Sequence, residues 1–180
     1  LSSGHNFSLA NSAGILAWPE SHRDWQRPGY MLYGNSPFSA AQENADQLKP
    51  VMTFESAVIS VRHIAAGESV GYTANWTAQR ASSIATITVG YGDGYPRHAT
   101  NGTPVLINGK LADLAGRVSM DMIGVDVTTL IANDVTVHVG DQATLWGRGL
   151  PVETIARHAM TISYQLLTGV SPRVARVYSE

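Results

Sequence analysis

From residue 51 onward the apolar positions follow the period of a β-strand. Thr53, Glu55, Ala57, Ile59, Val61 and His63 alternate with Met52, Phe54, Ser56, Val58, Ser60 and Arg62, and both sets hold apolar side chains. That pattern predicts a strand partly buried on each face. Residues 83–89 alternate with β-branched side chains and predict another. Residues 104–107 and 110–118 flank Asn108-Gly109, a strong hairpin signal. Further strands are expected at 70–72, 122–127, 142–146 and 173–178, with a short helix at 152–159 and a helical turn at 163–168. The upstream part reads differently. Residues 7–10 suit a short strand, residues 13–18 form an apolar run stopped by Pro19, and residues 30–34 suit a short strand ending in a turn at Gly34. Residues 35–50, rich in Asn, Ser, Ala and Gln and closed by Pro50, mark a domain boundary. The expected organisation is residues 1–46, then a mainly β (α+β) domain of residues 47–180.

Three turns share one composition: Gly71-Tyr72, then Val89-Gly90-Tyr91-Gly92-Asp93-Gly94-Tyr95-Pro96-Arg97, then Gly116-Arg117-Val118-Ser119-Met120-Asp121. In each, an apolar run stops at glycine and then presents a tyrosine, an arginine or an aspartate. Gly and Asp populate turns for steric reasons alone. The repetition of the idiom favours loops that carry function. On the residues alone, Tyr72 reads as a packed strand tyrosine, and Arg117 equally as a surface ion pair or a carboxylate-binding group. Asn11-Ser12, ahead of the apolar run 13–18, is a good helix cap, and a helix start is also an anion site.

Composition narrows the classes. The chain has 180 residues, 44% apolar and 14% charged, with net charge −2, as in a globular protein rather than a disordered one. That balance gives no electrostatic reason for nucleic acid or an anionic membrane as partner. The absence of cysteine excludes disulfides and thiolate metal sites, and fits a cytoplasmic protein. The six histidines show no metal-ligand spacing, so no metal is expected. No apolar run reaches the length of a membrane span, and the opening LSSGHNFSLA lacks the regions of a signal peptide. The two lysines, Lys49 in a connector and Lys110 beside a hairpin turn, lack the apolar surroundings that lower an amine pKa for covalent work.

The three turns, with Gly71-Tyr72-Thr73-Ala74-Asn75-Trp76, VGYGDGYPR and GRVSMD as they stand here, resemble the C-terminal half of alanine racemases. Those are pyridoxal-phosphate (PLP) enzymes with an N-terminal (β/α)8 barrel and a C-terminal β domain. Upstream, Leu9-Ala10-Asn11-Ser12-Ala13-Gly14 and Arg27-Pro28-Gly29-Tyr30-Met31-Leu32-Tyr33-Gly34 resemble the family's last barrel segments. The resemblance implies a barrel-like β domain at 47–180 preceded by a partial (β/α) barrel remnant at 1–46. It implies two-base interconversion of L- and D-alanine, the D-isomer serving peptidoglycan.

By the same resemblance, Tyr72 is a catalytic acid/base that enters the partner's active site in a homodimer. Asn11 and Ser12 meet the cofactor phosphate, Arg27 faces the PLP ring nitrogen, and Gly29 and Tyr30 offer backbone N–H groups. The Met120 N–H meets the substrate carboxylate beside Asp121, and Tyr91, Arg97 and Arg117 line the substrate entrance. The family's PLP lysine lies upstream of Leu1. The chain is therefore expected to be a C-terminal fragment, inactive without the missing N-terminal barrel segment. There are departures. Ser8 stands where many members have a histidine supporting the ring arginine, Pro172 where some have a phosphate-binding tyrosine, and Trp76 where tyrosine is frequent. The competing readings are a non-catalytic β module that binds or dimerises, and a serine or broad-specificity racemase.

Overall fold

The computed structural model describes residues 4–178; Leu1, on which the expectation of a fragment rests, lies outside them. The chain forms two compact units, Leu1–Met52 and Thr53–Glu180. The division falls later than the compositional boundary at 46/47, because the connector stays with the first unit. Val51 N donates to Tyr33 O (3.1 Å), and a Cβ on Gly34 would lie 1.7 Å from Lys49 O.

In the first unit, strand β1 (Ser8–Asn11) leads into helix α1 (Ser12–Ala17), and β2 (Trp25–Arg27) returns parallel to β1. Residues 30–34 do not form the expected strand. Tyr30–Tyr33 is a 3-10 turn, closed by Gly34 at φ 77°. Pro28-Gly29 interrupts the extended chain, and the Met31 N–H donates to Ser12 Oγ (3.1 Å) rather than to a strand. The strand of this region is β2, a few residues earlier and exposed throughout.

The second unit contains β3 (Phe54–Ile64), β4 (Ser69–Val70), β5 (Trp76–Thr77), β6 (Ser82–Ile87), β7 (Pro104–Ile107), β8 (Lys110–Leu114), β9 (Ile123–Asp126) and β10 (Gln142–Trp146). Its helices are α2 (Thr128–Ala132), α3 (Val152–His158) and α4 (Ser163–Thr168). Six strands close into an antiparallel barrel in the order β10–β3–β6–β9–β8–β7, with β10 also pairing β7. Asn108 (φ 49°) and Gly109 (φ 74°) make the tight β7–β8 turn that Asn-Gly predicts. Each barrel strand contributes to the core, through Val58, Ala85, Val105, Leu114, Val125 and Leu145, none more than 1% exposed. Burying side chains of this size contributes about 1.5–3 kcal/mol each.

A satellite cluster of Ile64, Val70, Ala78, Ile84 and Ala115, with Trp76 half-buried against it, seats the β4–β5 hairpin on the barrel. The strand expected at 70–72 therefore ends at Val70. Tyr72 follows in a turn whose Thr73 (φ 63°) and Ala74 (φ 50°) are left-handed. Residues 173–178 form no strand: Val174 N turns back to Ser171 O (3.1 Å), and the closed barrel offers no free edge to pair with. Helix α2, five residues long, is too short to show a helical period in the sequence.

Candidate active site

The three glycine turns of the second unit meet backbone to backbone. Gly71 (φ 78°) lies against the turn after β8, where an added Cβ would stand 2.7 Å from Arg117 N. Gly116 (φ 90°) returns the contact, its Cβ position 2.6 Å from Val70 O. Gly90 packs on the carbonyls of Ser119 and Met120, each 2.3 Å from its Cβ position. Tyr91 N donates to Ser119 O (3.0 Å) and Gly92 N to Met120 O (2.9 Å). Asn101 joins two of the loops, donating through Nδ2 to Asn75 O (2.9 Å) and accepting from Gly116 N (2.9 Å). The shared idiom thus corresponds to one place in space.

Tyr72 stands 70% exposed on a groove of about 370 Å³ that Arg117, Thr86 and Met122 also line. A second hollow of about 350 Å³ is bordered by Arg97, His98, Asn101 and Arg117. Arg117 borders both. Its Nε is buried and makes no hydrogen bond with a described residue, and it forms no ion pair among them. Ser119 Oγ donates to Met122 O (2.7 Å) and accepts from Met122 N (3.1 Å), which folds the loop so that the Met120 N–H donates to no described residue. A half-buried guanidinium with an unpaired Nε and an unused amide suit a small carboxylate. Asp121 is engaged differently: it accepts from Arg173 Nη2 (2.6 Å), while Arg173 Nε donates to Asp93 Oδ1 (2.8 Å). These two hydrogen bonds hold the Arg173 guanidinium further above its usual range.

The first unit gathers the other expected residues. Asn11 is the cap of α1, its Oδ1 accepting from Gly14 N (3.0 Å). Ser12 is buried and accepts from Met31 N, which keeps its own hydroxyl proton available to donate. Arg27 is anchored on β1: Nη1 donates to Ser8 O (2.8 Å) and to Ser8 Oγ (2.7 Å), and Nη2 to Leu9 O (3.4 Å). The serine that departs from the family pattern therefore supports the arginine itself. Gly29 has nothing within 4 Å of its Cβ position, so its backbone is open to approach, and the Tyr30 side chain is buried.

Residues 51–178 match the model of the alanine racemase C-terminal domain, and residues 2–37 that of the alanine racemase N-terminal domain. The chain belongs to the alanine racemase family. The alanine racemase of Chromohalobacter salexigens is 54% identical over 170 residues, covering 94% of this chain and 46% of that protein. That of Vibrio vulnificus is 53% identical over 173 residues, covering 96% and 47%. The chain thus spans about half the length of the curated relatives it matches. Among solved structures, the biosynthetic alanine racemase of Pseudomonas aeruginosa superposes with a TM-score of 0.89 at 50% identity, covering 96% of this chain and 47% of that one. The alanine racemase of Bartonella henselae, solved with covalently bound pyridoxal phosphate, superposes at 0.88 with 36% identity, covering 98% and 48%.

Alanine racemases are PLP-dependent, and the residues of the first unit fit parts of that group. A buried serine hydroxyl with its proton free and an open glycine backbone suit a phosphate, and an anchored guanidinium suits a ring nitrogen. Lys49 and Lys110 are both exposed and border neither hollow. Arg173 and Asn101 carry no sequence signal as site residues, because their partners lie far along the chain.

Proposed function

We propose that this chain supplies part of the active site of a PLP-dependent racemase that interconverts L- and D-alanine, with the D-isomer destined for peptidoglycan. The convergence of the Tyr72, Tyr91 and Arg117–Met120 turns on one face, with unused donors at Arg117 and Met120, carries this reading. PLP, when bound, supplies the electron sink that makes an amino acid's Cα proton acidic. The lysine that holds it lies outside this chain, in an N-terminal barrel segment. Asn11, Ser12, Gly29 and Tyr30 cradle the phosphate. Arg27 faces the ring nitrogen; a guanidinium stays charged at working pH and disfavours a proton there, which moderates the sink.

In a cytoplasmic homodimer, the exposed Tyr72 enters the partner's site and moves the Cα proton at its phenol oxygen on one face of the substrate. The Met120 N–H and Arg117 receive the substrate carboxylate, with Tyr91, Arg97 and Asp121 around the entrance. In the complete enzyme, Tyr72→Phe tests this. Each turnover uses one base to abstract the proton and the other to return it, and an equilibrium constant of one ties kcat/KM in the two directions together, so the variant loses kcat/KM equally for L- and D-alanine, by about 10²- to 10⁴-fold. It keeps Cα-proton exchange with solvent only for the isomer whose proton the lysine abstracts. Unchanged kcat/KM, or Cα-proton exchange affected alike for both isomers, would remove Tyr72 from the mechanism.

A further inference from the structure

The segment after α4 wraps the turn that carries Tyr91. Ser171 N donates to Asp93 O (2.9 Å), and a Cβ on Gly94 would lie 2.4 Å from Gly169 O. From this wrap Arg173 reaches two carboxylates on different loops. Nε donates to Asp93 Oδ1 (2.8 Å), and Nη2 donates to Asp121 Oδ1 (2.6 Å). Asp93 Oδ2 accepts from Gly90 N (2.8 Å), so the same carboxylate also closes its own turn. Gly92 lies against the guanidinium: a Cβ there would stand 2.7 Å from Arg173 Nη2. The glycine after Tyr91 is thus the space that Arg173 occupies.

Arg173 is 46% exposed and Asp121 58%. Ion pairs this open contribute little to stability, and the barrel has its own core. Their effect is local. They tie the Tyr91 turn to the Met120-Asp121 turn, and the one positive charge offsets half of the negative charge that Asp93 and Asp121 place beside the Met120 N–H. Without the guanidinium, those carboxylates oppose any anionic group brought to the same donors.

We propose that Arg173 is a positioning residue for substrate binding: its fork on Asp93 and Asp121 sets the Tyr91 and Met120 turns and offsets one of their two negative charges, which favours a carboxylate in the site. This rests on the racemase reading above.

The test uses the complete enzyme with Arg173→Ala, Arg173→Lys and the double variant Arg173→Ala/Asp121→Asn. For Arg173→Ala, KM for alanine rises about five- to tenfold in both directions, with kcat within about twofold and the melting temperature nearly unchanged. Arg173→Lys restores the charge without the fork and recovers part of the loss. Asp121→Asn in the alanine background also recovers part, which a purely structural role does not predict. Acetate binding, followed by saturation-transfer NMR, weakens by the same factor as KM. An unchanged KM and unchanged acetate binding in Arg173→Ala overturn the proposal, as does a fall in kcat and melting temperature with KM constant. If Arg173→Ala does not fold, Arg173→Lys decides by the same KM and acetate readouts. If the parent enzyme does not racemise alanine, the racemase reading fails, and acetate binding still decides the role of Arg173.

Discussion

Replacing Gly71 with alanine tests the claim that the site is set by backbone contact. Two costs add. The Gly71 φ of 78° and ψ of 176° lie in a region open essentially to glycine alone, which costs another residue about 1–3 kcal/mol. The new Cβ would also stand 2.7 Å from Arg117 N and 3.2 Å from Gly116 Cα, and these are backbone atoms that no rotamer moves away. Overpacking of that kind costs about 1–3 kcal/mol more, for a total of about 2–6 kcal/mol. Gly67 supplies the control, because its φ is 88° but nothing lies within 4 Å of its Cβ position. Gly67→Ala therefore carries the conformational cost alone, about 1–2 kcal/mol. In thermal unfolding of the complete enzyme, Gly71→Ala melts lower than Gly67→Ala by the contact term, at about 2–4 °C per kcal/mol. Because the clash separates Tyr72 from Arg117, Gly71→Ala also loses racemase activity, while Gly67→Ala keeps it. Equal melting temperatures and equal activities for the two variants would refute the reasoning.

Two further outcomes follow from groups outside that contact. Tyr95 is 1% exposed, its ring stacks on Trp146 at 6.2 Å, its hydroxyl has no partner among the described residues, and burial pushes its phenol upward. The unfolded chain loses this proton near pH ~10 while the folded one keeps it, so the contribution is intact below that pH and falls by about 1.4 kcal/mol per pH unit above it. Tyr95→Phe removes this slope and, by deleting an unpaired hydroxyl, adds up to about 1–3 kcal/mol; urea unfolding at about pH 9 and about pH 11 checks both effects. Ser8→Ala releases one of the anchors of Arg27 and weakens PLP binding in the complete enzyme by about three- to tenfold, read by absorbance titration of the apoenzyme; unchanged affinity would mean the Ser8 and Leu9 carbonyls suffice.

The turns of the site were legible because their constraint is written locally. Gly71, Gly90 and Gly116 each stand where a Cβ would strike another backbone, and glycine marks such positions whatever the surrounding sequence. The strands were legible for the same reason, since alternation is a short-range signal. Closure of the barrel was not, because it depends on β10 meeting both β3 and β7 across the whole unit. Arg173 was hidden by distance: its partners are 80 and 52 residues away, and its neighbours alternate as a strand would. The apolar run at 30–33 read as a strand, and the Ser12 hydroxyl, which no periodicity reveals, accepts from its Met31 N–H in a 3-10 turn instead.

Closure of the six-stranded barrel also governs how this unit meets other molecules. A sheet that ends offers a row of unpaired amides and carbonyls, a template on which a further chain can add itself. Here β10 completes the circuit, so each barrel strand has a neighbour on both sides, although β3 pairs β10 only at 54–57 and β6 only at 58–64. Recruitment by strand addition is thereby restricted to the stretches of β3 that pair on one side only. Whatever binds the rest of this barrel recognises side chains and turns. That makes its recognition a matter of surface shape, and leaves the glycine turns as the natural point of approach.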